Sequence, residues 1–573
     1  MEMNYDENTL HQLEEELHTR IYPGTEIMSD VGSHHFVKSS DKSHRVLVPQ
    51  PSADKHDPLN WNRFWKFSSV SMVIVVTFAQ GFGPLALAPM FPNLIEAFDT
   101  DLAGAVQFTG VCILVLGFSN FLWVPIQTAF GRRPVLIFST LICLVSNIWR
   151  AVAKDYRSFM GACILNGIGA GPAETSAPTV IADVLFLHER GAYNTLYFTV
   201  YFGSLMVGPI ISGSMAQYST WQNFWWLNVA LHSAVLIALF FLFPETKWHR
   251  QHPKEMMAQQ QKQDSFDEKI TSEAVEDPEK NGVTVEPTIV DLTAAATAER
   301  DPYLHRGTPS KKQFMLWQNN AHPFQAILLD LWIPWKLHLY PIIEFSAFVV
   351  SWSASSFLTI NLTQSQNFAA PPYNFSPQSV GYTNFAILVG ALIGLLTNGP
   401  LSDWIAAKAT KRNRGIREPE MRLPAMIPYV IVMLINNFVV AFGYEYKWDW
   451  RVSLVFSLDL DVRAANSLQI IVIIGYTCAG IQVAAIPAIA STYSVDSYKP
   501  VAGSIFVAIT VNKNVWGYGL GKFITPWIIR DGYLPPIMLN MSLIFLWCSF
   551  GILFYFYGKT FRKWTRNSSV HNM

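Results

Sequence analysis

The chain has 573 residues, of which 50% are hydrophobic and 14% are charged, and its formal net charge is -1. Globular domains carry about 25% charged residues, whereas the charges here crowd into the N-terminal tail, a central stretch and a few short loops. The long apolar runs between them match the roughly 20 residues that a helix needs to cross a bilayer. The composition predicts a membrane protein with many spans and excludes a basic surface for nucleic acid.

The apolar runs predict twelve transmembrane helices in two sets of six. The first set is Phe67–Met90, Ala105–Thr128, Pro134–Ala153, Phe159–Asp183, Tyr193–Met215 and Phe224–Phe243. The second set is Leu337–Leu362, Val380–Pro400, Leu423–Phe442, Leu468–Ala490, Val501–Trp527 and Pro536–Tyr557. The regions that follow are a cytoplasmic N-terminal tail (1–64), a first bundle (65–245), a cytoplasmic central linker (246–336), a second bundle (337–560) and a cytoplasmic tail (561–573).

The orientation follows from lysine and arginine, which favour cytoplasmic loops, and from the even number of spans, which places both termini on one side. The loops with Arg132 and Arg133 and with residues 408–422 are basic, which predicts cytoplasmic termini. Two outer regions oppose this orientation mildly: one has Arg150, Lys154 and Arg157, and the other has Lys447, Arg451 and Arg463 with four nearby acids. The linker and the N-terminal tail lack an apolar period and predict disorder, except for an interfacial helix at Phe324–Trp335.

Two loops at matching positions of the two sets are similar to each other. The loop after the second helix reads PIQTAFGRRPV (125–135), and the loop after the eighth reads GPLSDWIAAKATKRNRG (399–415). Both resemble the G-x-x-x-D-R-x-G-R-R loop of the major facilitator superfamily. The resemblance implies an all-α membrane protein whose twelve transmembrane helices form two pseudo-symmetric six-helix bundles.

The match to this loop motif is partial. Gly131, Arg132 and Arg133 fit, but Thr128 stands at the position of the motif's acid. In the resembled family the loop makes charge contacts that hold the two bundles together on the cytoplasmic side. The second copy retains Asp403, which is therefore the better candidate for this latch.

An ordered set of further segments resembles fungal drug:proton-antiporter-like facilitators, most closely fungal polyamine and organic-cation transporters. The segments are DPLNW (57–61), GIGAGPAE (167–174), GPIISG (208–213), PET (244–246), NRGIREPEMRL (413–423), YSVDSY (493–498) and YGKTFRKWT (557–565). The resemblance implies proton-coupled, alternating-access transport of an organic cation such as a polyamine across the plasma membrane, or across a vacuolar or other internal membrane. The alternatives are a drug or metabolite exporter and a non-transporting receptor on the same scaffold.

Charged side chains inside a bilayer are costly and are functional candidates by default. Glu174 lies in the predicted fourth helix. It either pairs with Arg132 or Arg133 as part of the latch, or it binds a substrate cation or carries a proton. Asp183, at the end of the same helix, is expected to cap the helix or to pair with a base.

Two charges in the second set of helices have similar alternatives. Glu344 near the start of the seventh helix either faces a central cavity or reaches Lys336 or His338. Lys513 in the eleventh helix lies next to Asn512. It either holds an anionic substrate or forms a salt bridge to an acid across the bundle.

Uncharged side chains in the spans add further candidates. Cys163 stands where many of the resembled antiporters carry an arginine, so their arginine-assisted proton switch is missing. Gly208, Pro209 and Gly213 permit a helix bend and close helix approach. In the resembled antiporters this motif is associated with export. Polar and aromatic candidates for a cavity wall are Gln80, Trp123, Asn166, Tyr197, Tyr201, Trp352, Asn384, Tyr476, Gln482 and Trp516.

Signatures of catalysis and nucleotide binding are lacking. The glycine-rich run at 517–522 follows no predicted strand and lacks the Ser or Thr that a P-loop places after its lysine. We therefore expect no enzyme activity, no ATP, no cofactor and no metal site. The expected partners are a small-molecule substrate, protons and the lipid bilayer, and the expected state is a monomer. Asn361 and Asn374 begin outward sequons, with Asn361 the closer to the membrane.

Overall fold

The computed structural model describes residues 22, 24–27, 51–52, 54–248, 303–318, 323–371, 373–413, 416–447, 471–498, 501–565 and 568. Within these residues the regular structure is helical, apart from one antiparallel pair of two-residue strands. The greater part of the linker and N-terminal tail for which disorder is predicted lies outside the described residues, as does the start of the predicted tenth helix.

The first half of the chain contributes the strand β1 and eight α-helices. They are β1 (Glu26–Ile27), α1 (Arg63–Phe82), α2 (Phe91–Phe98), α3 (Leu102–Phe130), α4 (Arg132–Val152), α5 (Tyr156–Ala170), α6 (Ser176–Val184), α7 (Leu187–Tyr218) and α8 (Gln222–Leu242). Short 3-10 turns at Ala88–Met90 and Gly171–Glu174 connect α1 to α2 and α5 to α6.

The linker and the second half contribute eight further helices and the strand β2. They are α9 (Pro323–Leu337), α10 (Pro341–Phe368), α11 (Pro377–Tyr382), α12 (Asn384–Arg412), β2 (Ile416–Arg417), α13 (Ile427–Glu445), α14 (Ile471–Ser497), α15 (Ala502–Asp531) and α16 (Leu534–Trp564). We call the side on which α1 begins and α16 ends the terminal side, and the opposite side the distal side.

Ten helices in the described part of the chain are long and apolar enough to cross a membrane. The other two spans are α5–α6, which is interrupted in its middle, and α15, which carries Lys513 and Lys522 within its apolar stretch. The predicted all-α architecture with twelve spans in two sets of six is confirmed. The predicted first helix is too long, because Gly83 and Pro84 end α1 at Phe82: proline has no N–H to continue the helix.

The two halves meet along a seam between α3 and α15. On the distal side, Gln107 Nε2 donates to the Gly521 carbonyl over 3.5 Å. In the middle, a Cβ on Gly117 would lie 2.7 Å from the Asn514 Cβ, so glycine is what lets the two helices approach. On the terminal side, Val124 packs against two buried valines of α15. Contacts between α3 and α15 are thus present on the distal side, in the middle and on the terminal side of the seam.

Parts of the tail and linker fold onto the terminal side, although the lack of an apolar period predicts disorder for both. Trp61, just before α1, is fully buried. The Asn62 N–H donates to the Gly307 carbonyl, and the Gly307 N–H donates to the Asn60 carbonyl, each over 2.9 Å. Nearer the N-terminus, β1 pairs with β2 of the second half. Backbone hydrogen bonds thus join the tail to the linker and to β2 of the second half.

Arg150 lies within the predicted third helix but was counted with the charges of the outer loop, and the structure corrects this second assignment. Arg150 belongs to the last turn of α4 and is fully buried. Its guanidinium lies 4.5 Å from the ring centre of Trp225, and Nη2 lies 3.6 Å from the Cys112 sulfur. The charge of Arg150 also acts on the nearby Cys163. A buried guanidinium thus lies near Cys163 of the fourth span, but it belongs to α4, which is the third span.

Candidate functional site

A buried ion pair joins the two halves near the middle of the membrane-spanning region. Lys513 Nζ of α15 lies 2.5 Å from Glu174 Oε1, which belongs to the fourth span. The Glu174 side chain is 6% exposed and that of Lys513 is 18% exposed. This places Glu174 against Lys513 rather than against Arg132 or Arg133, so the predicted pairing of Glu174 with the loop arginines is wrong.

The interruption between α5 and α6 positions Glu174. Gly171 and Pro172 break the helix, because proline cannot donate the next hydrogen bond, and the chain takes a 3-10 turn that ends at Glu174. The Tyr197 hydroxyl of α7 donates to the carbonyls of Ala173 and Glu174 over 3.1 and 3.3 Å. The break therefore turns Glu174 toward the seam, while Tyr197 satisfies the carbonyls that the break exposes.

Two more side chains hold the Glu174 carboxylate. The Tyr201 hydroxyl donates a hydrogen bond to Glu174 Oε1. Asn514 Nδ2 donates to Glu174 Oε2 over 3.5 Å. The Tyr201 ring centre also lies 5.8 Å from Lys513 Nζ. The carboxylate thus has a cation, a phenol and an amide as donors, and it lies where the first and second halves touch.

Polar side chains of α10, α13, α14 and α15 make further hydrogen bonds inside the second half. Gln482 Nε2 donates to the Ser353 hydroxyl over 3.0 Å, and Asn436 donates to Gln482 Oε1 over 3.2 Å. Asn512, next to Lys513, accepts from the Ser351 hydroxyl over 2.8 Å. Asn512 and Lys513 are consecutive in α15, so the Ser351–Asn512 contact and the ion pair lie at the same level of this helix.

Aromatic rings lie on the other side of α10. The rings of Trp352 and Trp516 have centres 4.8 Å apart. Trp516 is 38% exposed, and Trp352 is half-buried. Phe348 stacks on Trp547, with ring centres 4.3 Å apart. Because α15 carries both Lys513 and Trp516, three residues apart, the tryptophan pair lies less than one helical turn from the ion pair along the helix.

Three candidates lie apart from the ion pair. Asn166 donates to the Ser146 hydroxyl over 3.0 Å inside the first half. Asn384 donates to Gln364 Oε1 over 3.1 Å at the distal end of α12. Glu344 accepts from His338 Nδ1 over 2.8 Å at the terminal end of α10. Each of these three hydrogen bonds lies within one half, and none of them supports a shared site with Glu174.

The predicted latch residues tie helices together within the first half. Arg132 Nε lies 2.8 Å from Asp183 Oδ2, which joins α4 to α6. The buried Arg133 guanidinium donates to backbone carbonyls at the end of α8, including that of Phe240 over 2.8 Å. The structure therefore gives Asp183 its expected ion pair, but these contacts do not cross to the second half.

Glu245 holds the loop after α3 in place, and the sequence analysis did not identify it as a candidate. Its carboxylate accepts the backbone N–H groups of Arg132 and Arg133, each over 2.9 Å, and so caps the N-terminus of α4. Gly131 has φ +111°, and a Cβ there would lie 2.2 Å from Glu245 Oε2. In the sequence, the only indication of this contact is that Glu245 is the acid of the Pro-Glu-Thr segment (244–246) after α8.

Asp403 likewise makes its ion pair within one half. Its Oδ1 lies 3.2 Å from Arg422 Nη1, and its side chain is 67% exposed. Arg422 also binds Asp496 at the end of α14, with Nε 2.9 Å from Oδ2. These two pairs join α12 and α14 to the 3-10 turn Pro419–Met426 that precedes α13, and they offer no charge contact to the first half.

The helix-bend motif serves close packing of α7. A Cβ on Gly208 would lie 2.3 Å from the Phe82 carbonyl oxygen of α1, and a Cβ on Gly213 would lie 2.4 Å from the Pro377 carbonyl oxygen of α11. Pro209 lies inside α7 between them. Because α11 belongs to the second half, Gly213 brings the two halves together on the distal side.

A family model described as the Major Facilitator Superfamily matches residues 73–510. An uncharacterized MFS-type transporter of Schizosaccharomyces pombe is 25% identical over 91% of this chain and 88% of its own. Protein HOL1 of Saccharomyces cerevisiae is 24% identical over 91% of each chain. The xylose transporter XylE from E. coli, in a partially occluded inward open conformation, has the same fold, with a TM-score of 0.52 and 13% identity over 86% of this chain and 98% of that one. The chain therefore belongs to the Major Facilitator Superfamily.

Proposed function

We propose that this transporter moves a small organic cation, such as a polyamine, by proton-coupled alternating access. In this proposal, Glu174 is the carboxylate that the cation and the proton share. The observation that carries it is the buried ion pair between Glu174 of the first half and Lys513 of the second. Alternating access rocks one half against the other around a central site, so a mid-depth contact between the halves must break during each cycle.

Breaking the ion pair leaves a buried carboxylate without its cation. Removal of one partner from a buried pair costs about 3–5 kcal/mol. A substrate ammonium replaces the Lys513 charge, and a proton neutralises Glu174, so either one offsets this cost and favours separation. The aromatic rings of Tyr201, Trp352 and Trp516 offer faces for cation–π contact with a desolvated ammonium. Competition of cation, proton and Lys513 for one carboxylate is the proposed basis of coupling.

Uptake of radiolabelled spermidine tests this function in cells that lack their own polyamine transport. We expect the chain to increase uptake, and we expect acidic medium to change the rate because protons compete for Glu174. A neutral sugar of similar size is the control solute. Loss of preloaded spermidine instead of uptake would indicate the exporter alternative, and no movement of either solute in either direction would favour the receptor alternative.

We also propose a plasma-membrane location with both termini in the cytoplasm, which places the loop between α10 and α11 outside the cell. Asn374 in this loop begins a sequon and is exposed, whereas Asn361 is fully buried in α10. We expect Asn374 to carry an N-linked glycan and Asn361 to carry none. Endoglycosidase should therefore increase the gel mobility of the chain.

The matched variants for this prediction are Asn374→Gln and Asn361→Gln. The first should abolish the endoglycosidase shift, and the second should leave it in place. A glycan that persists in Asn374→Gln would contradict the assignment of this sequon. Glycosylation at a site introduced between residues 265 and 300 of the linker would reverse the orientation.

A further inference from the structure

The linker helix α9 lies across the terminal end of the seam between the two halves. It packs against both α3 of the first half and α15 of the second. Trp335 of α9 stacks on Phe121 of α3, with ring centres 5.0 Å apart and planes 7° apart. Leu328 and Trp332 of α9 are each 67% exposed. One face of α9 therefore covers the seam, and apolar side chains of α9 also face outward, as in a helix at a membrane interface.

Asp330 lies in the middle of α9 and carries a negative charge into this contact. Its carboxylate lies beside the Thr128 side chain near the end of α3 and faces the charges of Arg132 and Lys247. The Oδ2 atom is buried and has no hydrogen-bond partner among the described residues. Burial raises the pKa of Asp330, while the Thr128 side chain and the positive charges of Arg132 and Lys247 act against this rise.

The surroundings of Asp330 hold a cluster of charges from several elements. Lys247 Nζ donates to the Ala129 carbonyl over 3.1 Å. Burial and the charge of Arg132 lower the pKa of Lys247, while nearby carboxylates, including that of Asp330, act in the opposite direction. Arg132 itself pairs with Asp183. The cations near the end of α3 are thus close to one another, and a carboxylate from α9 stabilises them.

Thr128 is the position at which the loop after α3 lacks the acid of the family motif. We propose that Asp330 supplies this missing carboxylate from the linker, and that α9 thereby positions the terminal ends of α3 and α15 against each other. Asp330 is then a positioning residue for the conformational cycle rather than part of the substrate site. The inference depends on transport by rocking of the two halves and is independent of which solute is carried.

A cysteine at the terminal end of the seam reports on this contact without any substrate. Val507 is 1% exposed and packs beside Val124, so Val507→Cys should react slowly with a membrane-impermeant maleimide applied from the terminal side. Adding Asp330→Asn should raise the labelling rate roughly five-fold or more, as for a typical coupling between conformation and a local contact. The same chain without Val507→Cys gives the background from the natural cysteines.

Relocating the acid separates a positional role from a general loss of folding. Asp330→Asn combined with Thr128→Asp restores a carboxylate beside Arg132 and Lys247, and we expect it to return labelling toward the starting rate. Asp403→Asn is the comparison variant, because it removes an exposed acid from the equivalent loop of the second half. A slow rate in Asp330→Asn, a fast rate in the double variant, or a larger effect from Asp403→Asn would each overturn the proposal.

Discussion

Glu174→Gln is expected to reduce the apparent affinity for an organic cation by about 30-fold or more. Truncation of one partner of a buried, hydrogen-bonded charge pair costs at least about 2 kcal/mol, and 1.4 kcal/mol corresponds to a factor of ten. The glutamine retains the size of the side chain and can still bond to Tyr201, but it offers no charge to an ammonium. The measurement is the concentration dependence of spermidine uptake, with surface expression determined in parallel.

The same substitution leaves Lys513 buried without a counter-charge, so a loss of uptake alone does not separate binding from stability. Adding Lys513→Met removes the stranded cation. We expect the double variant to regain the thermal stability that Glu174→Gln loses, while cation uptake stays low. If the double variant regains uptake together with stability, Glu174 has a structural role and the organic-cation proposal loses its central residue.

Glu344→Gln is the matched carboxylate control. Glu344 lies in a membrane span, but it pairs with His338 near the surface, and its side chain is 32% exposed. A solvent-accessible pair contributes little, typically no more than about 1 kcal/mol. Uptake should therefore fall much less than in Glu174→Gln. The sequence alone treated these two glutamates alike, and it is their surroundings that separate them.

The number of spans and their division into two sets could be read from the sequence, because both depend on local apolar runs. Local rules also contain the signal for the interruption of the fourth span, since Gly171 and Pro172 both disfavour a continuous helix. The sequence analysis predicted an unbroken helix there, because the surrounding residues are apolar. The buried Arg150 shows the reverse error: a charge near a helix end indicated a loop, whereas Trp225 and Cys112 enclose it.

The candidate site depends on contacts that are remote in sequence. Glu174 and Lys513 are separated by 339 positions, and their pairing needs the break in the fourth span and the packing of α15 on α3. The spacing of apolar residues predicts neither the break nor this packing. Apart from its helix, the folded part of the linker was not predicted either. The proposed role of Asp330 likewise depends on Thr128, which belongs to another element. Each charge was visible in the sequence, but its partner was not.

A second large effect is expected at the terminal side of the second half. Arg562 of α16 is fully buried. Its Nη2 lies 2.7 Å from Glu418 Oε2 and 2.8 Å from Glu420 Oε2, and its Nη1 donates to the Thr25 hydroxyl over 3.2 Å. Lys559 Nζ lies 3.0 Å from Glu418 Oε1. One guanidinium therefore joins α16, the loop before α13 and the segment next to β1.

Burial acts to raise the pKa of Glu418, but the charges of Arg562 and Lys559 outweigh it and leave the pKa below its ordinary value. A carboxyl whose pKa is lowered by folding stabilises the folded state above its unfolded pKa and loses this contribution as pH falls through the folded value. The stabilisation that Glu418 contributes to the second half should therefore be lost in acid. This loss should be smaller in a chain that lacks the Arg562 charge.

Arg562→Met is expected to destabilise the detergent-solubilised protein by about 3–5 kcal/mol, because it leaves two buried carboxylates without their shared cation. It should also release the tail segment around Thr25, which limited proteolysis would detect as faster cleavage near β1. Adding Glu418→Gln and Glu420→Gln removes the uncompensated charge, so the triple variant should regain much of the melting temperature while the tail remains sensitive. If Arg562→Met melts like the unchanged protein, this cluster does not stabilise the second half. If the triple variant regains both properties, the charges around Arg562, rather than its bond to Thr25, control the tail.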